Sequence, residues 1–157
     1  MKTDPALDLV LQRTIDVPPR RLWTAWTTPK ILMKWFCPVP WKTTECVIDL
    51  RPGGEFHTMM KGPNGEGHAN DGCYLEIVKE RRLVWTDTLL KDFRPNGTPF
   101  LSFTAYIDLK PKGKGTLYTA TVLHKDAAGR KQHEDMGFHD GWGKATDQLV
   151  ALAKTLK

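Results

Sequence analysis

The amino-acid sequence predicts an α+β fold in which a curved antiparallel sheet of about seven strands wraps around one long C-terminal helix. Three observations carry the prediction. Two short Trp-rich helical segments follow the first strand, the middle of the chain alternates with a period of two, and the last quarter bears an apolar stripe at helical spacing. The expected order is strand, two helices, six strands and one helix.

The first strand and the two short helices are expected near the N-terminus. Apolar residues alternate with polar ones over 7–15, which favours a strand. Pro19 and Pro29 suit the first position of a helix, where the missing N–H costs nothing. We therefore predict helices over 19–26 and 29–35.

Turn-forming residues separate the six strands of the middle region. Arg51–Gly54 supplies two glycines to the first turn, where one of them can take a positive backbone φ. A Pro-Asn-Gly sequence at 95–97 and a Gly-containing segment at 111–115 mark later turns. The predicted strands are Thr44–Leu50, Glu55–Met60, His68–Val78, Arg82–Leu90, Phe100–Leu109 and Thr116–Leu123.

The last quarter of the chain, Gln132–Leu156, is predicted to be one helix that lies across the sheet. Its apolar residues recur every three or four positions on one face: Phe138, Trp142, Ala145, Leu149, Leu152 and Leu156. Such a helix is roughly 35 Å long. Gly137, Gly141 and Gly143 each cost about 1 kcal/mol there relative to Ala. We expect these glycines where another backbone or a ligand comes close.

Length and composition favour a single globular domain over residues 1–157, with its core at about 8–154. The 157 residues are 40% hydrophobic and 26% charged. No apolar run approaches the ~18 residues of a membrane span, and the N-terminus lacks an apolar signal-peptide core. Cys37, Cys46 and Cys73 form no CxxC pair, which supports neither a disulfide framework nor a zinc knuckle. A cytoplasmic location is the expectation.

The net charge of +5 does not by itself indicate nucleic-acid binding. The 23 Lys and Arg residues are scattered among 18 Asp and Glu residues. A nucleic-acid interface is typically a basic stripe on one element, and the sequence contains none. The densest basic piece, Lys110–Lys114, is predicted to be a hairpin turn. We expect neither a nucleic-acid nor a membrane partner.

A helix laid across a strongly curved sheet contacts the edges of the sheet better than its middle, which predicts a gap beneath the helix. Apolar pockets with a few polar groups are the usual sites for small molecules. We expect an apolar or amphipathic ligand there, held by Trp26, Trp35, Phe56, Met60, His68, Tyr74, Trp85, Phe103, Phe138, Trp142 and Leu149. The alternative is that these side chains fill a solid core, because aromatic residues dominate ordinary interiors too.

Three stretches of the sequence carry a resemblance to a known family. They are Val17–Pro29, Leu50–Phe56 and Met136–Trp142, the last containing the pair Gly141-Trp142. Together they are similar to the START-like, or SRPBCC, superfamily, and within it to the branch grouped with the C-terminal domain of the activator of the heat shock protein 90 ATPase. The resemblance spans about 8–153 and implies the helix-grip fold.

The resemblance leaves several functional classes open. Members of the superfamily typically hold lipids, hormones, polyketides or other apolar molecules between sheet and last helix, and a few turn them over. The namesake co-chaperone works through an additional N-terminal domain, for which this chain has no room. An interaction module that docks on a chaperone is therefore the alternative to ligand binding. Many relatives pair into dimers, so a homodimer also stays open.

A small-molecule enzyme of cyclase, hydratase or hydrolase type is the third class. It needs a polar group that faces the gap, and His68, His57 and Tyr74 are the candidates. No nucleophile elbow, phosphate-binding loop or dinucleotide fingerprint is present, and no cofactor is expected. His133 and His139 lie about 120° apart on a helix, whereas two metal ligands on one face need a spacing of three or four. We assign no catalytic residue and no metal ligand.

Overall fold

The chain forms nine strands and four helices in the computed structural model, which describes residues 1–157. In order they are β1 (Asp8–Ile15), α1 (Pro19–Thr27), α2 (Pro29–Leu32), β2 (Lys42–Ile48), β3 (Glu55–Lys61), β4 (Gly67–Val78), β5 (Arg82–Thr86), β6 (Leu89–Leu90), β7 (Arg94–Pro95), β8 (Phe103–Lys112), β9 (Gly115–His124), α3 (Ala127–Asp135) and α4 (Phe138–Ala153). The α+β class and the helix-grip architecture predicted from the sequence are confirmed.

Seven of the strands form one antiparallel sheet in the order β1-β9-β8-β5-β4-β3-β2. The strands β2 to β5 follow one another as a meander, and β8 and β9 form a long hairpin. The first strand, β1, pairs along its whole length with the last strand, β9. The first and last strands are therefore neighbours at one edge of the sheet. Near this edge α4 contacts β1 and α1 contacts β8.

The strand predicted over Arg82–Leu90 is interrupted in the structure. Only β5 joins the main sheet, while β6 pairs with β7 in a separate two-stranded ribbon. The interruption falls at Asp87, whose carboxylate accepts hydrogen bonds from the backbone N–H groups of Leu101 and Phe103 at 3.0 and 2.8 Å. A side chain that bonds to backbone in this way replaces the ladder of a strand. It also explains why β8 begins at Phe103 and not at Phe100.

The turn Arg51–Gly54 adopts the predicted conformation, with Gly53 at a φ of 79°. Gly53 donates its N–H to the Tyr74 carbonyl at 2.7 Å, and Tyr74 donates its own to the Gly54 carbonyl at 2.9 Å. A Cβ atom on Gly54 would lie 1.8 Å from the Asp49 carbonyl oxygen. Close backbone packing therefore requires glycine here.

The single helix predicted over Gln132–Leu156 is wrong, because the structure has two helices that meet at Gly137. The backbone φ of Gly137 is +91°, the left-handed conformation that commonly ends a helix. The Asp126 side chain caps the start of α3 by accepting the Gly129 N–H at 2.8 Å. The second helix, α4, has 16 residues and is therefore about 24 Å long.

The core lies between the inner face of the sheet and the helices α1 and α4. It contains 22 buried apolar residues, among which Leu22, Leu149 and Ala153 are completely inaccessible to solvent. Arg13 on β1 joins the sheet to α4, because its Nη2 donates to the Gly143 carbonyl at 3.0 Å and its Nη1 pairs with Asp147. None of the four helices has the length and apolarity that a membrane span requires.

Candidate functional site

An open cavity of about 670 Å³ lies beneath the N-terminal half of α4. Its floor is the inner face of the sheet, its sides are the segment after α1 and the segment between β5 and β8, and its roof is the α3–α4 junction. The helix α4 contributes Phe138, Gly141, Trp142, Ala145 and Thr146 to the lining, and no later residue.

Nine of the eleven side chains predicted to bind a ligand line this cavity. They are Trp26, Trp35, Phe56, Met60, His68, Trp85, Phe103, Phe138 and Trp142. The other two, Tyr74 and Leu149, are both 0% exposed and lie in the packed core outside the lining. Tyr74 stacks on Phe56 with ring centroids 5.1 Å apart, so it supports the cavity wall from behind.

Aromatic contacts, one edge-to-face and one tilted, join the apolar wall formed by Trp26, Trp35 and Trp85. The centroids of Trp26 and Trp35 are 4.7 Å apart, and those of Trp26 and Trp85 are 5.3 Å apart. The Trp35 Nε1 donates to the Ala25 carbonyl at 3.1 Å. Such pairs add about 0.5–1.5 kcal/mol beyond the burial of their area, so this wall is rigid.

Gln148 holds the cavity side formed by residues 35–39 and was not predicted from the sequence. Its Nε2 donates to the Trp35 and Cys37 carbonyls at 3.1 and 2.8 Å, and its Oε1 accepts the Val39 N–H at 3.0 Å. The three bonds replace regular secondary structure in the segment between α2 and β2. The only sequence signal was a polar residue just off the apolar stripe of α4.

His133 also lines the cavity, although it was not predicted as a ligand-site residue. It is 7% exposed, and its ring lies 5.1 Å from Phe138, 5.9 Å from Phe103 and 6.1 Å from Trp142. On one continuous helix His133 would point about 140° away from Phe138. The break at Gly137 turns α3 so that both rings face the same space.

His133 is hydrogen bonded to a second buried histidine. Its Nδ1 lies 2.9 Å from the His124 Nε2, and the His124 Nδ1 lies 2.9 Å from the Leu7 carbonyl oxygen. Burial, and to a smaller extent the charge of His124, lower the pKa of His133 to about 4. His133 is therefore neutral at physiological pH.

The three residues considered for catalysis lie apart from one another. His68 lines the cavity at its rim, with its ring 4.4 Å from that of Phe100. His57 is absent from the lining and bonds to Asp71 at 2.6 Å, with Glu45 at 3.5 Å. Burial lowers the pKa of His57, but the bonds and charges of Asp71 and Glu45 outweigh that effect and raise it. Burial raises the pKa of Tyr74, whose hydroxyl has no partner.

No group of three or more His, Cys, Asp and Glu side chains is placed so that it could hold a metal ion. His133 and His139 lie on different helices and not on one helix as expected. The Asp87 carboxylate in the cavity lining is already bonded to backbone N–H groups. The arrangement is that of an aromatic pocket with a few fixed polar atoms.

Comparisons with known proteins agree with this architecture. A solved structure from Nitrosomonas europaea is 47% identical, covers 97% of each chain and superposes with a TM-score of 0.93. One from Mycobacterium smegmatis is 27% identical over 98% of this chain and 95% of that chain, with a TM-score of 0.81. An AHSA1-like protein from Aeromonas hydrophila has 17% identity over 94% of this chain and 92% of its own, with a TM-score of 0.72, and shows the fold alone.

The sequence also matches a family model over most of its length. The model is described as "Activator of Hsp90 ATPase homolog 1-like protein" and matches residues 16–154. No curated protein matches the sequence. The match includes the helices, the whole meander and the Gly-Trp pair at the start of α4. The chain therefore belongs to the family of activator of Hsp90 ATPase homolog 1-like proteins.

Proposed function

We propose that this protein binds a small apolar or amphipathic molecule in the cavity beneath α4. The observation that carries the proposal is the cavity itself, which has a volume of about 670 Å³ and is lined by aromatic side chains on several sides. Small-molecule pockets generally measure about 300–1,000 Å³ and are mostly apolar. Solid packing would have closed a space of this size with side chains.

The energetic argument favours an apolar occupant. Every Å² of apolar surface removed from water contributes about 25 cal/mol, so a flat molecule between the Trp26–Trp85 wall and Trp142 gains several kcal/mol. The wall is held by aromatic contacts within the protein itself. A ligand therefore meets a preformed surface and loses little free energy to reorganisation.

The cavity mouth favours a ligand with one polar end. Phe100 and Met136 lie at the rim and are 48% and 55% exposed. Polar side chains share this side of the lining, including His68, Asn70 and Asn96. A molecule with its apolar part inside and a polar group at the mouth matches this distribution.

Gly141 offers a test that separates binding from folding. A Cβ atom at this position would meet nothing within 4 Å, and Gly141 lines the cavity. We therefore expect Gly141→Leu to occupy part of the cavity, starting from a Cβ that meets open space, while it removes a helix glycine. Gly141→Ala is the matched control, since it gives the same kind of helix benefit, up to about 1 kcal/mol, and adds only one methyl group.

The experiment is native mass spectrometry of the purified protein, followed by extraction of any molecule that co-purifies and by thermal shifts with lipids and aromatic metabolites. We expect a bound mass or a shift with the wild type and with Gly141→Ala, and neither with Gly141→Leu. Equal binding by all three would place the ligand outside the cavity. No bound mass and no thermal shift for the wild type would contradict the proposal.

A co-chaperone-like interaction module is the second candidate, favoured by the description of the family to which the chain belongs. It would use the surface and not the cavity. Stimulation of an Hsp90 ATPase by the full chain, undiminished by Gly141→Leu, is the result expected for this candidate. No stimulation at saturating concentration would contradict it.

A further inference from the structure

The buried histidine pair has a defined arrangement of hydrogens, because one end of it is fixed by a backbone carbonyl. A carbonyl oxygen can only accept, so the His124 Nδ1 that lies 2.9 Å from the Leu7 oxygen carries a hydrogen. In a neutral imidazole the other nitrogen is then an acceptor. The His124 Nε2 accordingly accepts a hydrogen bond from the His133 Nδ1 at 2.9 Å. This leaves the His133 Nε2 without a hydrogen.

The ring of His133 is in surroundings that favour its neutral form. His124 and His133 are each 7% exposed, and neither forms an ion pair with a carboxylate. The other ring neighbours of His133 are the apolar side chains Phe103, Phe138 and Trp142. A charge on the His133 imidazole would therefore be both desolvated and uncompensated.

The free nitrogen of His133 has no hydrogen-bond partner in the protein and is not among the fully buried unpartnered atoms. His124, which contacts Nδ1, is outside the cavity lining, whereas His133 is part of it. The two ring nitrogens point to different sides of the imidazole, so Nε2 lies on the side away from His124. It makes no hydrogen bond with any group of the protein. A lone pair is thus presented inside an aromatic pocket with no donor to meet it.

We propose that the ligand of this cavity carries a hydrogen-bond donor, a hydroxyl or N–H group on an apolar frame, which the His133 Nε2 accepts. This inference rests on the proposed function and specifies the class of ligand. An apolar ligand that covers the His133 Nε2 without offering a hydrogen leaves this lone pair unpaired, which is costly, whereas a donor on the ligand avoids that cost. A carboxylate at the same place would be repelled, because two acceptors would face each other.

The test compares two probes with the same aromatic frame, 1-hydroxypyrene and 1-methoxypyrene, by fluorescence titration of the full chain. The first donates a hydrogen bond and the second does not. The wild type is expected to bind the hydroxyl probe roughly three- to tenfold more tightly, the value of one hydrogen bond. His133→Asn is the matched variant, since its amide can still donate to His124 but leaves no acceptor at the Nε2 position. It should bind both probes equally.

The outcomes separate this inference from the proposed function. Equal affinity of the wild type for the two probes overturns the donor requirement and leaves the cavity as a ligand site. Binding of neither probe contradicts the apolar-ligand function itself. A preference for the hydroxyl probe that persists in His133→Asn, in protein with an unchanged thermal midpoint, overturns the assignment to His133. A ¹⁵N NMR spectrum that shows a hydrogen on the His133 Nε2 at neutral pH, in protein without ligand, would also overturn the assignment of the acceptor to His133.

Discussion

The two halves of α4 cover the same sheet but leave different spaces beneath them. In the C-terminal half, Leu149 and Ala153 are fully buried in the core shared with α1 and β1. In the N-terminal half, Phe138, Trp142 and Thr146 face a cavity of about 670 Å³. One helix therefore contains both a packed end and an open end, and the change occurs between Thr146 and Leu149.

The difference follows from what lies opposite each half. The middle of α4 is held directly to β1, because Arg13 bonds to the Gly143 carbonyl and to Asp147. The residues that follow, including Leu149 and Ala153, are buried in the core. The open end is attached instead through α3, which begins after β9 and ends at Gly137. The cavity lies beneath the part of α4 that precedes the buried Leu149.

Leu149→Ala tests the packed end and should have the largest effect on stability. Leu149 is 0% exposed within the core cluster, so removing its side chain leaves an empty cavity. We expect the free energy of unfolding to fall by about 2–5 kcal/mol, measured by urea denaturation. Pyrene-probe affinity of the folded fraction should stay within twofold of the wild type, because Leu149 is outside the lining. A loss below about 1 kcal/mol would mean that this end is not tightly packed.

The pH dependence of stability tests whether His133, beside the cavity, is buried in its neutral form. The pKa of His133 is about 4 in the folded protein and 6.5 in its ordinary state. Above pH 6.5 both states are neutral and stability is unaffected. As the pH falls below that value, His133 binds a proton in the unfolded chain but not in the folded protein. The free energy of unfolding therefore decreases, by up to about 3 kcal/mol near pH 4. His124 is the titratable group that faces His133.

His133→Asn supplies the control for this pH dependence. The variant lacks the titrating imidazole but can keep the hydrogen bond to His124. The decline in unfolding free energy between pH 6.5 and 4, measured by urea denaturation at each pH, should become shallower. A variant profile that runs parallel to that of the wild type would assign the decline to other groups.

Sequence reasoning was accurate where a repeating pattern determines the structure. The period of two in the middle of the chain predicted the meander, and the apolar stripe predicted the face of α4 that includes Phe138 and Leu149. Pro19 and Pro29 correctly predicted where α1 and α2 begin. These features depend on local spacing, which the sequence displays directly.

The positions that sequence reasoning missed depend on single residues without periodicity. Gly137 divides the expected long helix, and this break brings His133 toward Phe138. Gln148 ties the segment 35–39 to α4 through contacts more than 100 positions away in the chain. Tyr74 was expected in the ligand site but lies behind Phe56. Neither the direction of a broken helix nor such distant contacts can be read from spacing.

Trp142→Ala tests the open end and should cost less than Leu149→Ala, although it removes more atoms. Trp142 is only half-buried and borders space that is already empty. We expect a loss of about 1–2 kcal/mol in unfolding free energy, because little new cavity surface is created. Affinity for an apolar probe should fall at the same time. A stability loss as large as that of Leu149→Ala would show that the two ends of α4 are packed alike.

Asp147→Asn should have the smallest effect, and it measures how much the ion pair with Arg13 contributes to the attachment of the packed end. The side chains of Arg13 and Asp147 are 33% and 69% exposed, so water and salt screen their attraction. Exposed pairs contribute about 0–1 kcal/mol, and we expect a loss in that range that disappears at high salt. A double-mutant cycle with Arg13→Met isolates the pair from the bond that Arg13 donates to the Gly143 carbonyl.

The cycle also decides which contact holds α4 to β1. Arg13→Met removes both the ion pair and the carbonyl bond, whereas Asp147→Asn removes the charge alone. If the Arg13 change costs clearly more than the Asp147 change, the bond to Gly143 is the main attachment. A Cβ at position 143 would lie 3.1 Å from the Arg13 Nη2, so the guanidinium would have to shift by a few tenths of an ångström to admit it. Equal losses would instead assign the attachment to the ion pair between Arg13 and Asp147. High salt would then weaken the contact between α4 and β1.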